Sequence, residues 1–133
     1  MDNPDVRWKQ RFQNFEKMLG FLENAMKIKE PDMVQKAGLI QFFEISFELS
    51  WNVMKEYLEA QGIMGMRSPR DTIKKAFEVE LITDGHTWLQ TLQNRNLTSH
   101  TYNEEMAEEV VQEIETVYYP ILQNLYERLK TEL

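Results

Sequence analysis

Cysteine is absent from the 133 residues of this sequence, which excludes disulfide frameworks, cysteine-ligated zinc and thiol catalysis. Glycine (5) and proline (4) are also scarce, so each one can be interpreted as an individual turn or helix boundary. No apolar run approaches the ~20 residues that a membrane span needs. Because the first five residues lack the basic and apolar regions of a signal peptide, we expect a cytoplasmic protein with no membrane partner.

Basic residues are also fewer than acidic ones. Fifteen lysines and arginines stand against 22 acidic residues, giving a formal net charge of -7, so any contact with nucleic acid must depend on a local basic patch. The basic stretch Arg67–Lys75 is one such candidate, and the acidic run Glu104–Glu115 could dock a basic protein. Both patterns are also typical of solvated helical faces. Length and a hydrophobic content of 42% indicate one globular domain spanning residues 1–133.

Apolar residues recur at three- and four-residue spacing, which predicts amphipathic helices. The predicted helices cover about Val6–Lys29, Met33–Gln61, Pro69–Val79, Gly85–Leu97 and the chain after Asn103. Pro31 separates the first two, Gly62 is placed as a C-terminal cap, and Ser68, Asp84 and Asn103 are placed as capping residues. Pro120 should kink the last helix, because its ring clashes with the Thr116 carbonyl. The fold class is therefore predicted as all-α: an antiparallel four-helix bundle with one additional short helix.

The second predicted helix is apolar over most of its circumference. One apolar row contains Ile40, Phe43, Phe47, Trp51, Met54 and Leu58, and a neighbouring row contains Phe42, Ile45, Leu49, Val53 and Tyr57. Since one bundle core absorbs less apolar surface than this, the pattern predicts a two-fold homodimer. We expect its interface to bury part of Phe42, Phe43, Phe47 or Trp51, or their neighbours.

The residues best suited to chemistry lie in the string Arg95-Asn96-Leu97-Thr98-Ser99-His100-Thr101-Tyr102. Phosphodiester cleavage without a metal needs a group that exchanges a proton near neutral pH and a cation that stabilises the phosphorane. His100 and Arg95 could supply these functions, while Asn96 and Tyr102 could orient the phosphate or a base. On one continuous helix, positions five apart point roughly 140° away from each other, so a helix must end between Arg95 and His100 or two chains must pool their copies.

A purely structural interpretation of the same residues remains open. Arg95 could pair with a glutamate of the last helix, and His100 could bond a loop carbonyl, while the second histidine, His86, is expected to be an ordinary surface residue. Glutamate pairs such as Glu44/Glu48 lack the Glu-x-x-His partners of di-metal bundle sites and are typical of a solvated face. We therefore expect neither a metal site nor a cofactor.

Several segments together resemble the HEPN-domain proteins of the HepT type, also described as nucleotidyltransferase substrate-binding proteins. The resemblance covers nearly the whole chain and is carried by Arg7-Trp8, Leu39–Glu44, Phe47–Trp51, Ser68-Pro69-Arg70 and Asn94–Tyr102. The last string matches the family's Arg-x4-His-x-Tyr motif completely, including a polar residue directly after the arginine.

The resemblance implies a homodimeric helical bundle in which the arginine and histidine of two subunits face a shared cleft. Arg95 and His100 would then be the ribonuclease residues of a toxin, with Asn96 as their polar neighbour. It also implies a minimal nucleotidyltransferase as the antitoxin partner, which would adenylylate Tyr102. The alternative implied by the family is a non-catalytic subunit that binds a substrate for the nucleotidyltransferase.

Overall fold

A computed structural model describes residues 3–96 and 103–133. Within these ranges every regular element is a helix. The elements are α1 (Pro4–Met26), α2 (Met33–Ala60), α3 (Pro69–Glu78), α4 (Gly85–Gln93), α5 (Glu104–Glu113), a π-helical turn (Ile114–Tyr118) and α6 (Tyr119–Lys130). Because α5, the π-helical turn and α6 are continuous, they form one rod, and the five rods confirm the predicted all-α fold. None of these described helices is long and apolar enough to cross a membrane.

Local side-chain chemistry sets most of the helix starts, as predicted. The Ser68 hydroxyl accepts a hydrogen bond from the Asp71 amide at 3.1 Å, and Asn103 Oδ1 accepts one from the Met106 amide at 2.9 Å. Each side chain satisfies one amide that has no partner inside its own helix. Asp84 caps α4 in the same way.

The two ends of α2 are both capped. Gly62 has a φ of 86° and follows the last turn, where the Ile63 amide donates to the Leu58 carbonyl at 2.9 Å, which confirms its predicted capping role. At the other end, Asp32 and Gln35 form a reciprocal capping box. This box was not among the predicted caps, although the Asp-x-x-Gln spacing is compatible with one.

Two helices end three or four residues earlier than predicted. Helix α1 ends at Met26 instead of Lys29, and α4 ends at Gln93 instead of Leu97. Asn94 is the C-cap of α4, and its amide bonds to the carbonyls of Gln90 and Thr91 in the tightened last turn. The interruption predicted after this helix falls mostly on residues 97–102, which lie outside the described residues.

The core forms around α2, which α1, α3, α5 and α6 all contact. Phe43 and Phe47 are fully buried inside the single chain. They are therefore unavailable to a second subunit, so their predicted contribution to a dimer interface is wrong. Phe42 and Trp51 are only partly buried. Phe42 lies 5.9 Å from the ring of Phe21, which is 43% exposed, and this partly exposed aromatic pair is compatible with the predicted homodimer.

Polar contacts bind the α5–α6 rod to the first two helices. The Tyr126 hydroxyl donates to Glu16 on α1 at 2.5 Å, and Lys36 on α2 pairs with Glu108 on α5 at 3.1 Å. Hydrogen bonding to Glu16 raises the pKa of Tyr126 to about 12, because ionisation would place two negative charges side by side. The Tyr126–Glu16 bond is exposed and the Glu108 side chain is about half exposed, so these contacts orient the rod more than they stabilise it.

The predicted kink at Pro120 takes the form of a π-helical turn. In this turn the Tyr119 amide donates to the carbonyl of Ile114, five residues earlier. Proline has no amide hydrogen to offer, and its ring clashes with the carbonyl four residues before it. The wider turn directly before Pro120 accommodates this conflict while the rod continues.

Candidate functional site

Arg95 lies directly beyond the C-terminal end of α4, and its side chain folds back onto that helix. Its Nη1 donates to the Leu92 carbonyl at 3.0 Å. The last carbonyls of a helix have no intrahelical partner, so an arginine at this position satisfies one of them and meets the negative end of the helix dipole. The position of the guanidinium is thus tied to the end of α4.

Glu48 on α2 makes the second contact to Arg95. Its Oε1 lies 3.3 Å from Arg95 Nε, and its Oε2 accepts a hydrogen bond from the indole Nε1 of Trp51 at 2.8 Å. The side chains of Arg95 and Glu48 are 36% and 50% exposed. At that exposure the ion pair contributes about 0–1 kcal/mol to stability, so its main effect is on the geometry of Arg95.

The end of α4 is also held against the π-helical turn. Asn94 Nδ2 donates to the hydroxyl of Tyr118 at 3.4 Å. Tyr118 is 3% exposed, and its ring stacks on Phe43 at 5.2 Å. π-helical turns occur frequently at functional sites, and this one places a buried tyrosine beside the residue that precedes Arg95.

Of the other predicted site residues, only Asn96 lies within the described part of the chain. Asn96 is exposed at the end of the first described range. His100 and Tyr102 lie outside the described residues, so the predicted pairing of Arg95 with His100 stays a prediction. Helix α4 ends before Arg95, and the 140° separation expected on one continuous helix therefore does not apply to Arg95.

His86 is exposed in the first turn of α4, as expected for a surface residue. The neighbouring Asp84 carboxylate accepts two hydrogen bonds from Thr87, and these bonds, with a smaller contribution from His86, lower the pKa of Asp84. This cluster has the features of a helix cap. Among the residues that the structure describes, no group of three His, Asp or Glu side chains is arranged to hold a metal ion.

The sequence gives no signal that Glu48 belongs to this site, since the spacing of Glu44 and Glu48 is typical of a solvated face. A pair between Arg95 and a glutamate of the last helix was one of the open structural alternatives. The structure instead pairs Arg95 with Glu48 of α2. No local spacing rule connects residues so far apart in sequence, so this contact depends on the tertiary structure, which also brings the ring of Trp88 on α4 to 5.9 Å from that of Phe47 on α2.

The sequence of this chain matches a known protein family over most of its length. The family described as nucleotidyltransferase substrate binding protein like matches residues 10–131. The chain belongs to this family. The match confirms the resemblance seen in the sequence, and it covers the segments that contain Glu48, Leu92 and Arg95.

Individual relatives agree with this assignment. The chain is 37% identical over 93 residues to the probable ribonuclease HepT of Haemophilus influenzae, an alignment that covers 65% of this chain and 64% of the relative, just under two thirds of its length. A crystal structure of a Thermus thermophilus protein has a TM-score of 0.75 and 33% identity, over 86% of this chain and 98% of the other.

A second solved structure, also from Haemophilus influenzae, has a TM-score of 0.63 and 31% identity, covering 96% of this chain and 99% of that protein. It is described as showing the fold of a substrate binding domain of a nucleotidyltransferase. Both structures are similar to this chain over most of its length, which confirms the helical fold of the family.

Proposed function

We propose that this family member is a HepT-like toxin, a metal-independent ribonuclease whose site combines Arg95 and His100 from two subunits of a homodimer. The observation that carries the proposal is the placement of Arg95. A partly exposed guanidinium is held by Glu48 and the Leu92 carbonyl at the end of α4, shortly before the motif histidine in the sequence. The similarity to a relative named probable ribonuclease HepT supports the same function.

In this proposal each motif residue has a separate role. His100 takes the proton from the ribose 2′-hydroxyl and later returns one to the leaving oxygen, as a general base and then a general acid. Arg95 stabilises the negative charge that develops on the phosphorane. Asn96 and Tyr102 orient the phosphate or a base. The product is a 2′,3′-cyclic phosphate, because the neighbouring 2′-hydroxyl is the nearest nucleophile.

The decisive experiment incubates the purified protein, free of partner and of adenylylation, with RNA in EDTA. Arg95→Ala and His100→Ala should each lower cleavage about 100- to 10,000-fold, whereas His86→Ala should leave it unchanged. Helix content from circular dichroism should be the same in all four proteins, because none of these residues belongs to the apolar rows predicted from the sequence. If wild type and His100→Ala leave RNA equally intact, the ribonuclease proposal is wrong.

Regulation by a minimal nucleotidyltransferase is part of the same proposal. An adenylate on Tyr102 would bring a negative phosphate near Arg95 and occupy the position of the RNA phosphate. Incubation with its cognate nucleotidyltransferase and ATP should increase the mass of the chain by one or more adenylates. A mass increase that survives Tyr102→Phe would place the modification on another residue.

The second candidate is a non-catalytic subunit that binds a substrate for the nucleotidyltransferase. It is favoured by the description of the similar Haemophilus influenzae structure as a nucleotidyltransferase substrate binding domain. The RNA assay separates the two functions, since this subunit would bind the nucleotidyltransferase without cleaving RNA.

A further inference from the structure

We propose that Glu48 is a positioning residue for Arg95 and that Trp51 in turn holds Glu48. The inference rests on the proposed function, in which Arg95 stabilises charge on the RNA phosphate. An arginine side chain free in water samples many rotamers, and selecting one of them costs entropy at the moment of reaction. A site that orients its donors in advance avoids this cost.

The contacts form a relay from Trp51 through Glu48 to Arg95. The indole of Trp51 donates to one carboxylate oxygen of Glu48 at 2.8 Å, and the other oxygen lies 3.3 Å from Arg95 Nε. Both oxygens of Glu48 are therefore engaged in different directions, which defines the carboxylate plane. Trp51 lies three residues after Glu48, so the two share one face of α2.

The contacts within the described residues leave part of the guanidinium accessible. Glu48 engages Nε of Arg95, and the Leu92 carbonyl engages Nη1 at 3.0 Å. Arginine has five N–H donors, so the Nη2 hydrogens and the second Nη1 hydrogen remain for an oxyanion. Glu48 thus holds one edge of the guanidinium and leaves the other edge to the phosphate.

If Glu48 instead inhibited the site, its removal would change the rate in the opposite direction. A carboxylate that competed with the phosphate for Arg95 would inhibit the protein, and its removal would accelerate cleavage. A positioning carboxylate has the reverse effect, because its removal releases Arg95 into orientations that do not stabilise the transition state. The sign of the change in rate therefore distinguishes the two roles.

The kinetic test measures kcat and KM for RNA cleavage by the whole 133-residue chain. Glu48→Ala should lower kcat about 10- to 100-fold and change KM less than about twofold. The reason is that misplacing a catalytic group by about 1 Å can lower the rate about 100-fold. Glu48→Gln should fall between wild type and Glu48→Ala, because the amide keeps one acceptor oxygen. Glu59→Gln is the matched control: it removes the same charge about three turns along α2 and should leave kcat unchanged.

A double-mutant cycle tests the part played by Trp51. Trp51→Phe keeps an aromatic ring and removes the indole donor, and we expect it to lower kcat a few-fold. In the Glu48→Ala background the same substitution should have no further effect, because Trp51 acts only through Glu48. Effects that multiply would contradict the relay.

Nuclear magnetic resonance provides a readout that does not need cleavage. In Glu48→Ala, the Arg95 Nε–H and Trp51 indole N–H signals should both shift, while the indole signals of Trp8 and Trp88 stay in place. Unchanged Arg95 and Trp51 signals, or a kcat equal to or above wild type, would overturn the inference. If wild type cleaves no RNA, the proposed function is wrong, and Glu48 has no catalytic arginine to position. The NMR shifts then still show whether Glu48 contacts Arg95 and Trp51.

Discussion

The neighbouring residues Phe42 and Phe43 should respond very differently to the same substitution. Phe43 is fully buried, stacks on Tyr118 at 5.2 Å and lies 6.3 Å from the ring of Phe47. Truncating a buried phenylalanine to alanine typically costs about 3–5 kcal/mol, and losing aromatic partners contributes to that cost. We therefore expect Phe43→Ala to lie in the upper half of this range.

The cost for Phe42 should be much smaller. It is partly exposed and has the half-exposed Phe21 as its aromatic neighbour, so Phe42→Ala in a single chain should cost about 1 kcal/mol. Total stability for 133 residues is on the order of 7–20 kcal/mol. Phe43→Ala should thus remove a substantial fraction of it, while Phe42→Ala should remove little.

Urea denaturation followed by circular dichroism measures both changes. With a slope of about 2 kcal/mol/M, Phe43→Ala should lower the midpoint by about 2 M and Phe42→Ala by about 0.5 M. The measurement should be repeated at two protein concentrations, because a dimer that buries Phe42 makes the cost of Phe42→Ala depend on concentration. Equal midpoints for the two variants would refute this assignment of core and surface on α2.

Two further predictions concern single side chains. Ser46 is fully buried, and its hydroxyl has no hydrogen-bond partner among the described residues; Ser46→Ala should therefore raise the free energy of unfolding by about 1 kcal/mol, and a loss of stability in urea would show that the hydroxyl is bonded. Tyr126 has a pKa raised to about 12 by Glu16, so its hydrogen bond should stabilise the fold fully below about pH 10 and lose this effect as the pH rises toward about 12. In Tyr126→Phe the free energy of unfolding should depend less on pH over that alkaline range. An unchanged pH profile would argue against the bond.

Most of the fold could be predicted from the sequence, because its determinants are local. The caps at Ser68 and Asn103 depend on a side chain and an amide three residues apart, and Gly62 ends α2 because it adopts positive φ without strain. The apolar periodicity likewise identifies the buried face of each helix. These interactions act within one turn of the chain, so the residues that form them can be found by their spacing.

The predicted helix ends and the kink were less accurate for a physical reason. Helix α4 stops at Gln93, where Arg95 turns back to bond the Leu92 carbonyl, and periodicity alone gave no signal for this stop. Pro120 predicted a disturbance, but the sequence could not say that a π-helical turn would absorb it. That outcome also places Tyr118 in the core against Phe43.

The candidate site also has one part that the sequence predicts and one part that depends on tertiary structure. The sequence by itself determined which residues carry the motif, since Arg95, Asn96, His100 and Tyr102 lie within one short string. Only the tertiary structure decided that Glu48 of α2 holds Arg95, and that Asn94 bonds Tyr118. A motif is a property of neighbours along the chain, whereas the orientation of its arginine depends on which helices pack beside it, and that packing is set by the whole core.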